Sequence, residues 1–460
     1  MTKILVVGGG VAGMFAAAAA AAAGAKVTLL EKNDRLGRKM SLTGGGRGNL
    51  TNTAPMAEFI KNIPGNGKFL YSALSSFSNN DCREFFESIG IPTKEEENGR
   101  VFPVNDNAGK VVLSLADHLA ANHVRIIPQV KVTGLIIEEN TCQGVIAAPG
   151  RVFPGNAVII ATGGASYPHT GSSGDGHTLA QQAGHRITPL FPSLVPLCLA
   201  EMELCRQLQG LSLANVRLSL KVSPNSKAVV ESGEIIFTHF GLSGPAALRL
   251  SRTAAESFSR GNQGNLCLSI DLLPETNEEK LTALLLNMSD KQSQKTPLNI
   301  IKQLLPNRIA EIILQDQPIN TDQKPGPGGR TFGFRQDSNE WRIGRVPKDA
   351  NEGCEEANAA GSKNDKSGFI GKKAWRALAQ RIKNLPLTVT GTKPLAEAMV
   401  TAGGVSLAQI DPRTMASRLV SGLYFAGEVL DLDAYSGGFN LQTAFSTGWI
   451  AGNSSVGKTS

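Results

Sequence analysis

Four apolar residues in a row, Ile4-Leu5-Val6-Val7, are followed by Gly8-Gly9-Gly10-Val11-Ala12-Gly13 and then by an alanine-rich stretch from Ala16 to Ala23. That pattern predicts a buried strand, a tight turn and a helix. Lys26-Val27-Thr28-Leu29-Leu30 predicts a second strand, which Glu31 closes. Further along, residues 68–90 and 114–122 read as helical, 124–128 and 130–137 as strands, and 139–153 as a hairpin. Ala157-Val158-Ile159-Ile160-Ala161 is a hydrophobic strand ending in Thr162-Gly163-Gly164.

Pro189, Pro192 and Pro196 mark a boundary, after which the pattern turns β-rich. Residues 211–222, 228–238 and 266–272 read as strands, 244–257 as a helix and 277–315 as helical. Residues 317–368 are dominated by Gly, Pro, Asn, Asp, Lys and Glu. They read as a long, partly disordered surface insertion with one candidate strand at 340–346. A helix over 372–385 follows. Gly422-Leu423-Tyr424-Phe425-Ala426-Gly427-Glu428 is then a strand that delivers a carboxylate, and a terminal helix follows Tyr435-Ser436-Gly437-Gly438. The expected organisation is an α/β domain from residues 1–188 and 388–460. It is interrupted by a cap over 189–387, β-rich to 275 and helical afterwards.

The first turn has a chemical meaning. Gly8-x-Gly10-x-x-Gly13 between a strand and a helix, with an acid closing the next strand about 20 residues on, is a dinucleotide fingerprint. Gly8 permits the turn, Gly10 lets the backbone approach a pyrophosphate, and Gly13 lets the helix pack closely on the strand. The helix N-terminus offers unpaired N–H groups to phosphate. Glu31 suits an unphosphorylated ribose, which points to FAD or NAD and away from NADP. A second glycine-rich loop runs Gly37-Arg38-Lys39-Met40-Ser41-Leu42-Thr43-Gly44-Gly45-Gly46-Arg47-Gly48-Asn49. Cations flanking bare backbone favour ligand contact there.

Bulk properties narrow the field. With 460 residues, two or three structural units are expected. At 41% hydrophobic and 18% charged residues the chain reads as soluble and globular. No uninterrupted apolar run reaches membrane-span length. The opening run reads as a first strand and not as a signal peptide, so the cytoplasm is the expected address. Net charge is +7, yet Lys and Arg are dispersed among acids, so nucleic acid is not an expected partner and a small molecule is. Six cysteines, at 82, 142, 198, 205, 267 and 354, form no C-x-x-C pair. No dithiol relay and no metal site are expected.

Three separated segments, strand–GGG–V-A-G–helix–Glu, A-T-G-G and G-L-Y-F-A-G-E, resemble the glutathione-reductase-like FAD superfamily. Ala161-Thr162-Gly163-Gly164, Tyr167, Thr170-Gly171 and Gly174-Asp175-Gly176 also resemble the fumarate-reductase and succinate-dehydrogenase flavoprotein branch. Four longer strings are similar to the bacterial BaiN/RdsA family, also called YhiN-like or aminoacetone-oxidase-type. They are G-R-K-M-S-L-T-G-G-G-R-G-N-L-T-N, F-T-H-F-G-L-S-G-P-A-A-L, P-L-T-V-T-G-T-K-P-L-A-E-A-M-V-T-A-G-G-V and G-L-Y-F-A-G-E-V-L-D-L-D-A-Y-S-G-G-F-N-L-Q-T-A-F-S-T-G. This resemblance implies a Rossmann-like FAD domain of glutathione-reductase type, built from both chain ends and interrupted by a β-barrel-like and helical cap.

By motif match the resemblance puts FAD contacts at Gly8, Gly10, Ala12, Gly13, Glu31, Lys32 and Lys39. It does the same for Gly44, Gly45, Gly46, Arg47, Gly48, Asn49, Thr162, Gly163, Gly427, Glu428, Asn440 and Leu441, with Val130 meeting adenine through its backbone. The resemblance implies Cys where this chain has Gly48, so thiol chemistry at that position is not expected; no histidine precedes His118 to anchor a histidyl-flavin, so FAD is expected to be noncovalent. Asn440 and Gln442 fall at the start of the terminal helix, where unpaired N–H groups suit a reduced flavin.

The implied activity is that of a flavin-dependent oxidoreductase with NAD(P)H as electron donor and an enone or amino ketone as substrate. No second fingerprint marks a separate nicotinamide domain. The alternatives are a fumarate-reductase-like dicarboxylate dehydrogenase and a non-catalytic FAD-binding regulator. Catalytic candidates are His239, as proton donor, Arg47, as an anion clamp, and Tyr435, as a pocket wall. Asp431 and Asp433 read as a solvated loop.

Overall fold

The computed structural model describes residues 1–262, 264–315, 330–335, 340–345 and 371–457. Its contacts divide the chain into two units, the first Met1–Pro196, Ser251–Gln263 and Thr392–Ser460, the second Leu197–Leu250 and Gly264–Gly391.

The first unit is built on a five-stranded parallel sheet. Its order is Leu423–Phe425, Ala157–Ile160, Lys3–Val7, Lys26–Leu30, Arg125–Ile127. Ile4, Val6, Val158, Ile159 and Ile160 are fully buried, as near-continuous apolar runs in a parallel sheet should be. The central strand, Lys3–Val7, leads through a helix to one neighbour, while its other neighbour arrives much later in sequence. The strand order therefore reverses between Lys3–Val7 and Ala157–Ile160, although all strands stay parallel, and ligands of open α/β sheets bind outside strand ends at such a point.

The alanines of the first helix, Val11–Ala22, now have a reason. The terminal helix, Phe439–Ser455, lies against it so closely that a Cβ on Gly448 would collide with Ala12 O and one on Gly452 with Ala16 O. Small residues on both helices permit the approach, and Ala16, Ala17, Ala19 and Ala20 are fully buried.

Smaller sheets complete this unit. Val132–Glu138, Thr141–Ala147 and Arg151–Pro154 form an antiparallel trio, where the sequence reads a strand at 130–137 and a hairpin at 139–153. Thr51–Asn52, Arg100–Pro103 and Thr93–Glu96 form a second, and Phe191–Ser193 pairs with Val400–Ala402. The stretch 68–90 is not one helix. Helices Tyr71–Ser76 and Asn79–Ser88 are separated because Ser78 and Asp81 form a reciprocal capping box that starts the second afresh. The helix expected at 114–122 starts earlier, at Ala108, where the Asn107 side chain caps the Lys110 N–H.

The second unit holds a closed six-stranded barrel. Around it run Leu197–Leu199, Gly241–Ser243, Val229–Thr238, Ser212–Lys221, Leu266–Asp271 and Leu385–Thr392. The last strand corrects the sequence reading, which ends a helix at 385 and returns the chain to the first domain at 388. The helix is Lys372–Lys383, and Leu385, Leu387 and Val389 then alternate inward against Leu266–Asp271. Helices Glu278–Lys291, Pro297–Ile301 and Asn307–Gln315 belong to the same unit.

Helix Pro245–Ser259 is divided between units, its residues from Ser251 onward grouping with the first, where the sequence reading keeps all of it in the cap. Of the insertion read at 317–368, the backbone of Arg330–Arg335 pairs with Glu340–Arg345 as an antiparallel ribbon. The remainder of that reading lies outside the described residues. Among the described residues no helix is long and apolar enough to cross a membrane.

Candidate functional site

The carboxyl ends of Lys3–Val7, Ala157–Ile160 and Leu423–Phe425 lie side by side and carry Gly8–Gly13, Thr162–Gly163 and Gly427–Glu428. Each glycine of the first turn is required by something different. Gly8 has φ +106°, and a Cβ there would lie 2.5 Å from Ala161 O, so the turn is pressed against the neighbouring strand end. A Cβ on Gly13 would collide with Gly8 O, so the helix seats directly on the turn.

Gly10 differs from both. Its backbone is ordinary, φ −72° and ψ 175°, and no protein atom lies within 4 Å of a Cβ built on it. Neither conformation nor packing within the protein demands glycine there. A ligand approaching the backbone closely would. Gly10 also precedes a helix with no side-chain cap, whose first N–H groups carry the positive end of the helix dipole. Backbone that no side chain crowds, at the start of a helix without a side-chain cap, fits the diphosphate of a dinucleotide.

Ala12 is buried where a Cβ on Gly427 would lie 2.7 Å from its own, so this position supplies backbone and closeness only. Thr162 Oγ1 is buried against Gly176 and has no hydrogen-bond partner among the described residues. Gly163, at φ +74°, turns the strand end away beside Ser172.

Glu31 is 7% exposed. Its Oε2 accepts the Gly9 N–H at 2.6 Å, and its Oε1 accepts the Asn33 backbone and side-chain N–H groups, each at 2.7 Å. The carboxylate thus ties the ribose-side strand to the glycine turn. The Val130 N–H donates to Glu31 O at 2.9 Å, so that donor is spent within the protein. Lys32 Nζ donates to Ser173 Oγ at 2.5 Å and pairs with Asp175 at 2.6 Å. Burial pushes the Asp175 carboxyl up, but Lys32 outweighs it and holds it below the usual range.

Glu428 is the hub at the third strand end. Lys39 Nζ donates to its two oxygens at 2.7 and 3.0 Å, Ser166 Oγ at 3.0 Å and the Thr401 N–H at 2.8 Å. Burial pushes this carboxyl up, yet Lys39, Thr401 and Ser166 together keep it below its ordinary value. The same Thr401 hydroxyl accepts the Ala165 and Ser166 N–H groups at 2.8 and 3.0 Å. Ser166 and Thr401 were invisible in the sequence. A Thr-Ala-Gly-Gly at 401–404 that echoes Ala-Thr-Gly-Gly at 161–164 was the one signal available.

The second glycine loop is held from outside. Gly44, Gly45, Gly46 and Gly48 have φ between +58° and +87°. Arg47, between them, donates to Asp106 through Nε at 3.0 Å and Nη2 at 2.8 Å, and to both oxygens of Glu96. Its guanidinium lies 4.2 Å from the centre of the Phe102 ring. Hydrogen bonds to Glu96, then to Asp106, raise the guanidinium further above its ordinary value, while Arg47 pulls Glu96 down and Lys94 and Arg47 pull Asp106 down. The Asn49 amide spans Thr51 O and the Gly438 N–H, 3.1 and 3.0 Å in the orientation that satisfies both.

Other predicted residues serve the frame. Asn440 closes on Ala434, donating to its O at 2.7 Å and accepting its N–H at 2.9 Å. Gln442 is fully buried and bonds Thr51, Phe77 O and Ser446. Leu441 is half-buried against the core. Tyr435 is half-buried, and its N–H donates to Asn62 O at 2.9 Å. His239 is exposed in the second unit, at the turn joining Val229–Thr238 to Gly241–Ser243, its ring 4.9 Å from Phe240. Asp433 departs from the solvated-loop reading, being 3% exposed.

Comparison with known proteins places this geometry. The chain is 29% identical over 461 residues to a 3-dehydro-bile acid delta(4,6)-reductase of Clostridium scindens, covering 99% of both chains. It is also 29% identical over 445 residues to a ribosomal RNA dihydrouridine synthase of Escherichia coli, covering 97% of this chain and 96% of that one. The expectation that nucleic acid is not a partner therefore finds no support here. Among solved structures, a 3-ketosteroid delta1-dehydrogenase from Sterolibacterium denitrificans shares the fold at a TM-score of 0.50 and 14% identity, over 99% of this chain and 100% of that one. The fold is the FAD-binding Rossmann type of flavin-dependent oxidoreductases. Residues 2–454 match the model of the HI0933-like protein Rossmann domain, and the chain belongs to that family.

Proposed function

We propose that this protein binds FAD noncovalently and uses it to move hydride from NAD(P)H to a carbon–carbon double bond conjugated to a carbonyl. The observation that carries the reading is the Gly10 cradle, which the protein leaves open at the strand-order reversal, in a chain whose relatives are named for saturating conjugated double bonds. A steroid dienone and a uracil ring share that motif, an alkene polarised by a neighbouring carbonyl.

In this reading the N–H groups after Gly10 hold the diphosphate and Glu31 orients the adenosine ribose. Lys39, Glu428 and the loop Gly44–Asn49 would hold the remainder of the cofactor. FAD supplies hydride acceptance and donation when bound. The chain's own tasks are to position the ring, keep water away, and provide the proton that completes saturation. Tyr435 and His239 are the two proton-donor candidates, and Y435F and H239Q separate them by which one lowers kcat. Arg47 has four of its N–H bonds committed to Glu96 and Asp106, which argues against a dicarboxylate clamp at that position.

The test is anaerobic. Purified protein loaded with FAD is titrated with NADH and with NADPH, then with enones, amino ketones and uridine. Bleaching by a nicotinamide followed by recovery on adding an enone is the expected result. Bleaching without recovery by any conjugated alkene contradicts the substrate class. Uridine within ribosomal RNA is a second reading, favoured by the relative named for it. Recovery with RNA but not with free enones would select it.

A further inference from the structure

The segment Asp431-Leu432-Asp433-Ala434-Tyr435 connects the Glu428 strand end to the turn Ser436-Gly437-Gly438 that opens the terminal helix. One side chain from a distant part of the sequence grips it. Arg252, on helix Pro245–Ser259, donates through Nε to Asp433 Oδ2 at 2.8 Å and through Nη2 to Oδ1 at 3.2 Å. Its Nη1 donates to Glu256 at 3.1 Å, and its guanidinium lies 5.6 Å from the centre of the Phe191 ring. Ser193 Oγ donates to Asp433 Oδ2 at 2.9 Å.

The pair is desolvated, with side-chain exposures of 14% for Arg252 and 2% for Asp433. Two further bonds hold the same segment from another side, Asn66 Nδ2 to Asp431 O at 2.9 Å and the Tyr435 N–H to Asn62 O. Every residue in this cluster belongs to the first unit.

We infer that Arg252 is a positioning residue, whose two-pronged grip on Asp433 fixes the segment that carries Tyr435 and the start of the terminal helix. The argument is one of geometry and cost. A buried ion pair is seldom the most stable filling for its volume, and apolar residues of similar size often serve as well or better. What the pair supplies that an apolar patch does not is direction. A planar guanidinium meeting both carboxylate oxygens sets the angle of the loop as well as its distance. Asn440 fixes the far end of this segment at Ala434, and Gly437 and Gly438, with φ +135° and +97°, turn it into the terminal helix, so the Arg252 grip sets the direction of the part between Asp431 and Ala434.

The inference rests on the flavin reading for its consequence and on the fold alone for its cause, and one set of variants separates the two. R252M leaves Asp433 buried and unpaired and should melt well below wild type. R252M/D433L fills the site without charge and should recover most of the melting temperature. In that double variant, amides 431–438 should exchange hydrogen at least 10-fold faster than in wild type, with or without added FAD. With FAD bound, its visible circular dichroism and midpoint potential should shift, and R252K should not restore them. A double variant with wild-type exchange at 431–438 overturns the inference. Wild-type protein that binds no FAD overturns the flavin reading while the exchange measurement still decides this one.

Discussion

The two glycine-rich turns of the first unit, Gly8–Gly13 and Gly44–Gly48, look alike in sequence and are built on different principles. In the first, neighbouring backbone fixes the glycines. Gly8 is pressed against Ala161 and Gly13 against Gly8, and only Gly10 faces open space with an ordinary backbone. In the second, positive φ values fix the glycines. Gly45 has no atom within 4 Å of a Cβ and Gly46 only one, at 3.9 Å, so the middle of the loop is loosely packed, its ends Gly44 and Gly48 meet Asn49 and Ala108 more closely, and Arg47 anchors it between them. The first turn is rigid because it is crowded, the second because it is tied.

Substitutions can break this contrast in order of size. Gly13→Val should have the largest effect, since its side chain would enter Gly8 O. Overpacking of this kind costs about 1–3 kcal/mol or more, and the soluble yield and melting temperature should fall sharply. Gly10→Val should separate folding from binding, keeping the wild-type melting temperature while weakening FAD binding at least 100-fold in a fluorescence titration. Gly10→Val protein that binds FAD as wild type does would show that the open cradle is not where the diphosphate sits.

Arg47→Ala should release the second loop and weaken FAD binding about 10-fold, with Arg47→Lys restoring little, because a point charge cannot reach two carboxylates and stack on Phe102. Gly45→Ala should be mildest, costing about 1 kcal/mol for a non-glycine residue in the left-handed region. A larger loss at Gly45 than at Arg47 would reverse the assignment of backbone and tether.

A pH series sharpens the same contrast. Glu428, Glu96 and Asp106 are all held below their ordinary values in the folded protein. A carboxylate depressed on folding contributes stability that is present above its unfolded pKa and lost as pH falls through the folded one. Melting temperature should therefore decline on acidification through and below the ordinary carboxylate range. E428Q should flatten that decline more than E96Q, because the Glu96 pair is more exposed to solvent screening.

What the sequence made legible was local. Strand, turn, helix and closing acid lie within Ile4–Glu31, and each part is recognisable from its neighbours. Strand Leu385–Thr392 was missed because Pro386 argues against a strand and a helical pattern runs up to it. The break between residues 76 and 79 was missed because a capping box interrupts a helix without interrupting its apolar pattern.

Site residues divide the same way. Gly8, Gly10 and Gly13 could be read because their roles follow from one turn. The partners of Glu428, Lys39 and Thr401 among them, could not, since 389 residues separate Glu428 from Lys39 along the chain. Asp433 reads as a surface acid in the sequence because its partner, Arg252, lies 181 residues earlier. Pairings at such distances are set by topology, and no periodicity announces them.

The central claim is that the first βα turn grips the diphosphate of FAD, and a direct equilibrium titration of purified protein with FAD tests it. The account predicts saturable quenching of flavin fluorescence at about one FAD per chain, abolished by Gly10→Val at unchanged melting temperature. Protein that is colourless as purified and shows no saturable binding in excess FAD would contradict it.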